Sequence, residues 1–332
     1  MKIALVVIAI VILIAVYIFV WTPYPFVWML RSKKEASREK GPENIKEIKE
    51  RITIQKGLSY PSKYPKATYD LYLPKKEVKH VVVWVHGGSF IAGTSEGFRN
   101  FGPMLADHGV LSCAINYALA PEHAFPTQLF QLDEFLSYLA NEILISHHLS
   151  FDRIILGGDS AGANLVSSYA TMMKKEGLAQ NIQLSIHHPF DIEGLLLFCG
   201  PYDFCEDMNN EKLKDFKKFF NYIGWSYLGK KSWYQRKEKI IASPLQQISD
   251  QFPPAYIVDG KQFSFMWQGK KLVEELKRHH VYVKERFYDH MGHGFEFDFV
   301  KNKEEARQVF EDTLEFLQAL EHREARKGNS DK

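Results

Sequence analysis

Beyond residue 50 the chain alternates short apolar runs with longer segments in which apolar residues recur every three to four positions. The runs ITIQ, YDLYL, VVVWV, VLSCAINY, RIILGG, GLLLFCG, AYIVDG and YVKERFY read as strands. VVVWV is apolar at every position, as in a strand covered on both faces. Residues 127–143, 161–177 and 268–280 read as helices. A last helix covers roughly 303–325, where Val309, Phe310, Thr313, Phe316, Leu317 and Leu320 fall at i, i+3, i+4 spacing. Strands and helices in alternation predict an α/β fold, a mostly parallel eight-stranded sheet with helices on both faces.

The amino terminus breaks this rhythm. From Ile3 to Trp21 no residue is charged, and as a helix this stretch spans about 30 Å, the thickness of a bilayer core. Residues 1–30 are therefore expected to be a transmembrane anchor. A cleaved signal peptide is the rival, but its apolar region is shorter and ends in small residues, whereas this one ends YIFVWTPYPF. Pro23 and Pro25 end the helix, and Trp21, Tyr24, Phe26 and Trp28 suit the interfacial belt. Only Lys2 precedes the span, while Arg31, Lys33, Lys34, Arg38 and Lys40 follow it, which favours a cytoplasmic catalytic portion. Residues 31–50 read as a charged linker or cap helix, 51–325 as the main domain and 326–332 as a disordered tail.

Charge narrows the partners. The 42 basic residues nearly balance the 40 acidic ones, and no basic run is interleaved with aromatics, so nucleic acid is set aside. Cys113, Cys199 and Cys205 are odd in number and lack zinc-ligand spacing, so they read as packing residues.

Chemistry enters with IILGGDSAGANL, residues 154–165. Its Gly158-Asp159-Ser160-Ala161-Gly162 has the form G-x-S-x-G, which composition alone produces in roughly one chain in ten of this length. Its place between an apolar strand and a helix gives it weight, because that context sets a serine on a sharp turn with its hydroxyl exposed. The helix amino terminus behind Ser160 favours developing negative charge. A serine that attacks a carbonyl generates an oxyanion, which needs preorganised N–H donors. His86-Gly87-Gly88-Ser89, directly after VVVWV, can supply them. Gly88, Ser89 and Ala161 are assigned as backbone donors, with His86 and Gly87 supporting the loop.

The stretches HGGSF (86–90), NYALAPEHAFP (116–126), GGDSAGANL (157–165), ASPL (242–245), PPAYIVDG (253–260) and HGF (293–295) resemble the hormone-sensitive lipase branch of the α/β-hydrolases, a family of serine esterases and lipases. The likeness runs in order through nearly everything after residue 65. It implies the α/β-hydrolase fold, an acyl-serine intermediate, and no metal or organic cofactor. Two departures are Ser89 in place of the family's third glycine and Ala118 in place of its arginine.

The architecture takes its triad in the order Ser, acid, His, so the base is a late histidine. His293 matches the family's His-Gly-Phe, and His290 is its neighbouring decoy. The acid is less simple. Counting by the resemblance sets the family's aspartate on Phe263 in DGKQFSFMWQG, and phenylalanine cannot orient an imidazole. Asp259, closing the same strand, is taken as the acid, with Asp203 in CGPYDF as the alternative. A Ser–His dyad or an inactive enzyme stays open, and Asp298 lies too close in sequence to His293 to serve.

Residues 206–245 form an insertion carrying Phe216, Phe219, Phe220, Tyr222, Trp225 and Trp233. By the resemblance it is a cap that lines an acyl pocket; the plainer reading is a helix pair packed on the sheet. The chain as a whole reads as a membrane-anchored serine carboxylesterase or lipase-like hydrolase of small-molecule or lipid-like esters. An amidase or formamidase and a ligand-binding pseudoenzyme are the alternatives.

Overall fold

The computed structural model describes residues 2–32, 40–214 and 216–330. The eight strand-like runs form one sheet: β1 Ile52–Ser59, β2 Thr68–Pro74, β3 His80–Val85, β4 Val110–Ile115, β5 Arg153–Asp159, β6 Asp191–Phe198, β7 Ala255–Gln262 and β8 Val283–Gly292. They lie in the order β1-β2-β4-β3-β5-β6-β7-β8. β2 pairs antiparallel with β1 and β4, and every other pairing is parallel. The parallel strands therefore share one carboxyl edge, the place where an open α/β sheet presents its functional loops.

The helices among the described residues are α1 Lys2–Trp21, α2 Tyr24–Ser32, α3 Ile45–Glu50, α4 Phe101–Asp107, α5 Thr127–Tyr138, α6 Leu144–Ser146, α7 Ala161–Lys174, α8 Glu176–Asn181, α9 Lys217–Leu228, α10 Glu238–Ile241, α11 Met266–Arg278 and α12 Lys303–Ser330. Strand β3 explains why its run has no polar side. Val81, Val83 and Val85 enter the core shared with Leu136 of α5, Tyr169 of α7 and Leu276 of α11. Val82 and Trp84 enter the opposite core, with Leu105 of α4 and Phe316 of α12. Trp84 stacks on Phe98 (centroids 4.6 Å apart) and meets Phe198 edge-on at 5.2 Å. Gly157 of β5 makes room for it, since a Cβ there would stand 2.5 Å from the indole.

The two ends of the chain depart from expectation. α12 continues to Ser330, so a helix takes in most of the stretch 326–332 expected to be a disordered tail. At the other end, residues 33–39 of the charged stretch 31–50 lie outside the described residues. No residue of α1 is buried. α2, by contrast, folds onto the body: Phe26, expected in an interfacial belt, is buried against Phe219 (5.4 Å) and Tyr222 (4.9 Å) of α9. The reason is that two aromatic faces in the insertion offer it a dry contact. Arg31 fastens the end of α2 by donating to Ile91 O (2.9 Å), Ala120 O (3.0 Å) and both Glu122 oxygens (2.8 and 2.7 Å).

The backbone of α7 lies close against the end of β3. A Cβ on Gly162 would stand 1.8 Å from the Val85 carbonyl oxygen, whereas one on Gly177 meets nothing within 4 Å. Gly162→Ala is therefore expected to cost roughly 3–5 kcal/mol or prevent folding. Gly177→Ala is expected to be neutral or to stabilise by about 0.5–1 kcal/mol. Thermal melting of the two variants beside the parent checks both.

Candidate active site

Four loops converge at the carboxyl edge of the sheet. Ser160 sits between β5 and α7 with φ 51° and ψ −115°. A serine holds this left-handed conformation only where its surroundings over-determine it. Here its N–H donates to Phe198 O at 2.7 Å, and the flanking Gly158 and Gly162 leave no room for side chains. As the first residue of α7, Ala161 carries an N–H that the helix itself cannot use.

The loop after β3 lies directly alongside. Gly88, Ser89 and Phe90 all have positive φ (110°, 58° and 63°). Ile91 and Ala92 N–H turn back onto the Gly88 carbonyl at 3.0 and 2.9 Å. Among the described residues the N–H groups of Gly88 and Ser89 take no such internal bond. The loop is tied to the nucleophile turn by Asp159, whose carboxylate accepts from Gly87 N–H and from Trp84 Nε1–H, each at 3.1 Å. His86 lies behind it: Nδ1–H donates to Gly87 O at 2.6 Å, and the ring stacks on Tyr117 at 4.2 Å. Burial pushes the His86 imidazole down to about 4, so it is neutral at physiological pH.

The base and its support come from the far side. β7 and β8 run on together past a bulge to the pair Gln262 and Gly292, and His293 N–H then donates to Gln262 O at 3.1 Å. His293 Nε2 stands 3.0 Å from Ser160 Oγ. On its other side, His293 Nδ1 lies 2.7 Å from Ser264 Oγ, which donates to Asp259 Oδ1 at 2.5 Å. Asp259 Oδ1 also accepts from Gly260 N–H at 2.7 Å. Thus Asp259 is joined to His293 through a serine rather than directly. Burial, only partly offset by these donors, raises the Asp259 carboxyl to about 8.

Phe263, the position reached by counting, is 76% exposed, whereas Ser264 is 1% exposed. Phe263 takes φ +49°, and the turn sends the next side chain inward. Sequence reasoning missed Ser264 because it sought a carboxylate; the signal available was a hydroxyl one residue beyond the vacated position. The alternative acid Asp203 has other partners in the same geometry. Ser264 is the group that meets Nδ1, while Asp203 accepts from Cys205 N–H (2.7 Å) and Gln246 Nε2–H (3.1 Å) to hold the turn into the insertion. His290 Nε2 pairs with Glu305 on the surface at 3.1 Å.

A cavity of about 870 Å³ opens above Ser160 and His293, walled by Phe216, Phe219, Phe220 and Ile223 of the insertion. Leu30 of α2 joins this wall, which the sequence did not indicate. Trp233, also in the insertion, packs against Phe204 and Phe220 instead of lining the cavity. Among the described residues no group of three or more His, Cys, Asp or Glu side chains is placed to hold a metal.

A serine and an imidazole in contact, beside unengaged amides and under an apolar roof, can carry out acyl transfer. Comparison with known proteins places the chain in a family. The chain is similar to tuliposide A-converting enzyme 2 of Tulipa gesneriana (34% identity over 36% of the chain and 32% of the relative). It is similar to rabbit (Oryctolagus cuniculus) arylacetamide deacetylase at 30% identity over 32% of the chain and 28% of the relative. These alignments span about a third of the relatives' length. A longer one, 71% of each chain at 23% identity, joins it to acetyl esterase of Salmonella schwarzengrund. In fold it is similar to the crystal structure of esterase B from Lactobacillus rhamnosis, with a TM-score of 0.72 over 88% of this chain and 92% of that one at 21% identity. The sequence profile described as "alpha/beta hydrolase fold" matches residues 82–297, from β3 through the turn beyond His293. The chain belongs to the α/β-hydrolase family.

Proposed function

We propose that the protein is a membrane-anchored serine hydrolase that cleaves carboxylic esters of apolar or amphiphilic character. The observation that carries this reading is the 3.0 Å contact of Ser160 Oγ with His293 Nε2, beside the amides of Gly88, Ser89 and Ala161. Ser160 attacks the ester carbonyl carbon and passes its proton to His293 Nε2. The carbonyl oxygen takes up negative charge facing the three amides. The imidazolium then protonates the departing alcohol, leaving an acyl-serine. Water, deprotonated by the same nitrogen, attacks the acyl carbon and releases the acid. The phenylalanine wall suits an apolar acyl or alcohol portion. Two of the relatives are named as an esterase and a deacetylase, and the second name, of an arylacetamide, makes amide cleavage the secondary reading.

Anchoring rests on α1, 20 residues long and with none of its residues buried. Lys231, just beyond α9, donates to Val20 O at 3.0 Å, and its ammonium lies 5.5 Å from the Trp21 ring and 5.4 Å from the Trp225 ring. Retention of α1 is supported by α2, which follows it within the same fold and fastens to the body.

Hydrolysis of p-nitrophenyl esters from acetate to palmitate tests the chemistry. Ser160→Ala is expected to lower kcat roughly 10³-fold or more. Equal rates in parent and variant across the series would sink the reading, and faster turnover of p-nitroanilides would move it to amides. Deleting residues 2–21 is expected to abolish co-flotation with liposomes while leaving turnover of short soluble esters within about threefold.

A further inference from the structure

The contact between acid and base differs from the direct one that the family resemblance leads one to expect, because a hydroxyl stands in it. We propose, resting on the serine-hydrolase reading above, that Ser264 is a positioning residue through which Asp259 acts on His293, so that protonation of Asp259 sets the tautomer of the imidazole. The chain of contacts is Asp259 Oδ1 to Ser264 Oγ at 2.5 Å, Ser264 Oγ to His293 Nδ1 at 2.7 Å, and His293 Nε2 to Ser160 Oγ at 3.0 Å.

Proton counting fixes the direction. An ionised carboxylate only accepts, so the Ser264 proton points to Asp259 and its oxygen accepts from His293 Nδ1–H. Nε2 is then bare and able to take the Ser160 proton. When it does, the imidazolium faces the Asp259 charge across one hydroxyl, and Ser264 keeps its own proton throughout. With Asp259 protonated, that negative charge is gone and the Ser264 proton is free to turn to Nδ1. The ring proton then sits on Nε2, where it cannot act as a base toward Ser160.

The surroundings favour ionisation of Asp259 over its neighbours. Glu296, in the turn after β8, is fully buried, and neither of its carboxyl oxygens meets a hydrogen-bond donor from another residue. Cys199 and Tyr202, beyond the end of β6, face the same space, and Asp159 at the end of β5 acts on Glu296 and Cys199. Burial holds Glu296, Cys199 and Tyr202 well above their ordinary ranges. Of this pair of buried carboxyls only Asp259 has donors, from Ser264 and Gly260 to its Oδ1, so the negative charge settles there first. Its titration near 8 places the tautomer change within the working range of pH.

The test uses the full chain in detergent, with the p-nitrophenyl ester it hydrolyses best, from pH 6 to 10. The parent's kcat/KM is expected to rise with a midpoint near 8. Ser264→Ala should lower kcat roughly 10²-fold or more and Asp259→Asn roughly 10³–10⁴-fold, each at little changed KM and each without that step. Ser264→Thr, which keeps the hydroxyl, should recover the step and most of the rate. In the parent at pH 9, long-range ¹H–¹⁵N spectra should show the His293 proton on Nδ1, and in Ser264→Ala that preference should be lost. A folded Ser264→Ala variant that retains the pH step, or a Ser264→Thr variant as slow as Ser264→Ala, would overturn the relay. The spectra report the tautomer without any turnover, so failure of the relay is distinguishable from failure of the esterase reading, which Ser160→Ala addresses.

Discussion

The main chain at the end of β3 and the main chain at the start of α7 are in contact, and the geometry of the site depends on that closeness. Any side chain at Gly87, Gly158 or Gly162 would strike Asp159 or neighbouring backbone, so the donors after β3 and the serine after β5 are locked at a fixed separation. Asp159 completes the lock by reaching across from the nucleophile strand to Gly87 and Trp84. Trp84 is in turn wedged among Phe98, Phe198 and Phe297. Core packing on one face of the sheet therefore sets the position of amides on its edge. A strained serine persists because four elements hold it.

On the opposite side of Ser160 the problem is electrostatic. The imidazole must be supported by negative charge, yet the space behind it is dry enough to hold Glu296 without donors. What separates the two buried carboxyls is hydrogen bonding and not depth. The 2.5 Å bond from Ser264 is of the short, charge-assisted kind, and it gives Asp259 a partner that Glu296 lacks. Inserting a hydroxyl lengthens the path from charge to imidazole but leaves the acceptor order intact, because oxygen can accept on one side while donating on the other.

Most of the fold was legible because its inner strands are apolar on both faces and its turns carry glycine where backbone meets backbone. VVVWV followed by His-Gly-Gly, and RIILGGD followed by Ser-Ala-Gly, locate β3, β5 and the loops beyond them from pattern alone. His293 was legible from its place after the last strand. Ser264 was not, because the direction of a side chain in the three-residue turn between β7 and α11 depends on one left-handed residue, Phe263, that no periodicity reveals. Phe26 was misread for a different reason. An aromatic residue beside an apolar span suits a lipid interface and a protein groove equally well, and only the position of α9 decides between them.

The buried carboxyl behind His293 has a thermodynamic side. Its folded value near 8 lies above the value of about 4 for an aspartate in an unfolded chain, so the folded protein binds the extra proton between those limits. The stability that this carboxyl contributes is complete below about 4 and is lost as pH rises through 8. Glu296, raised in the same direction, adds to the loss. The charge that readies the imidazole is thus one that the fold resists, and alkaline conditions set reactivity and endurance against each other at a single side chain.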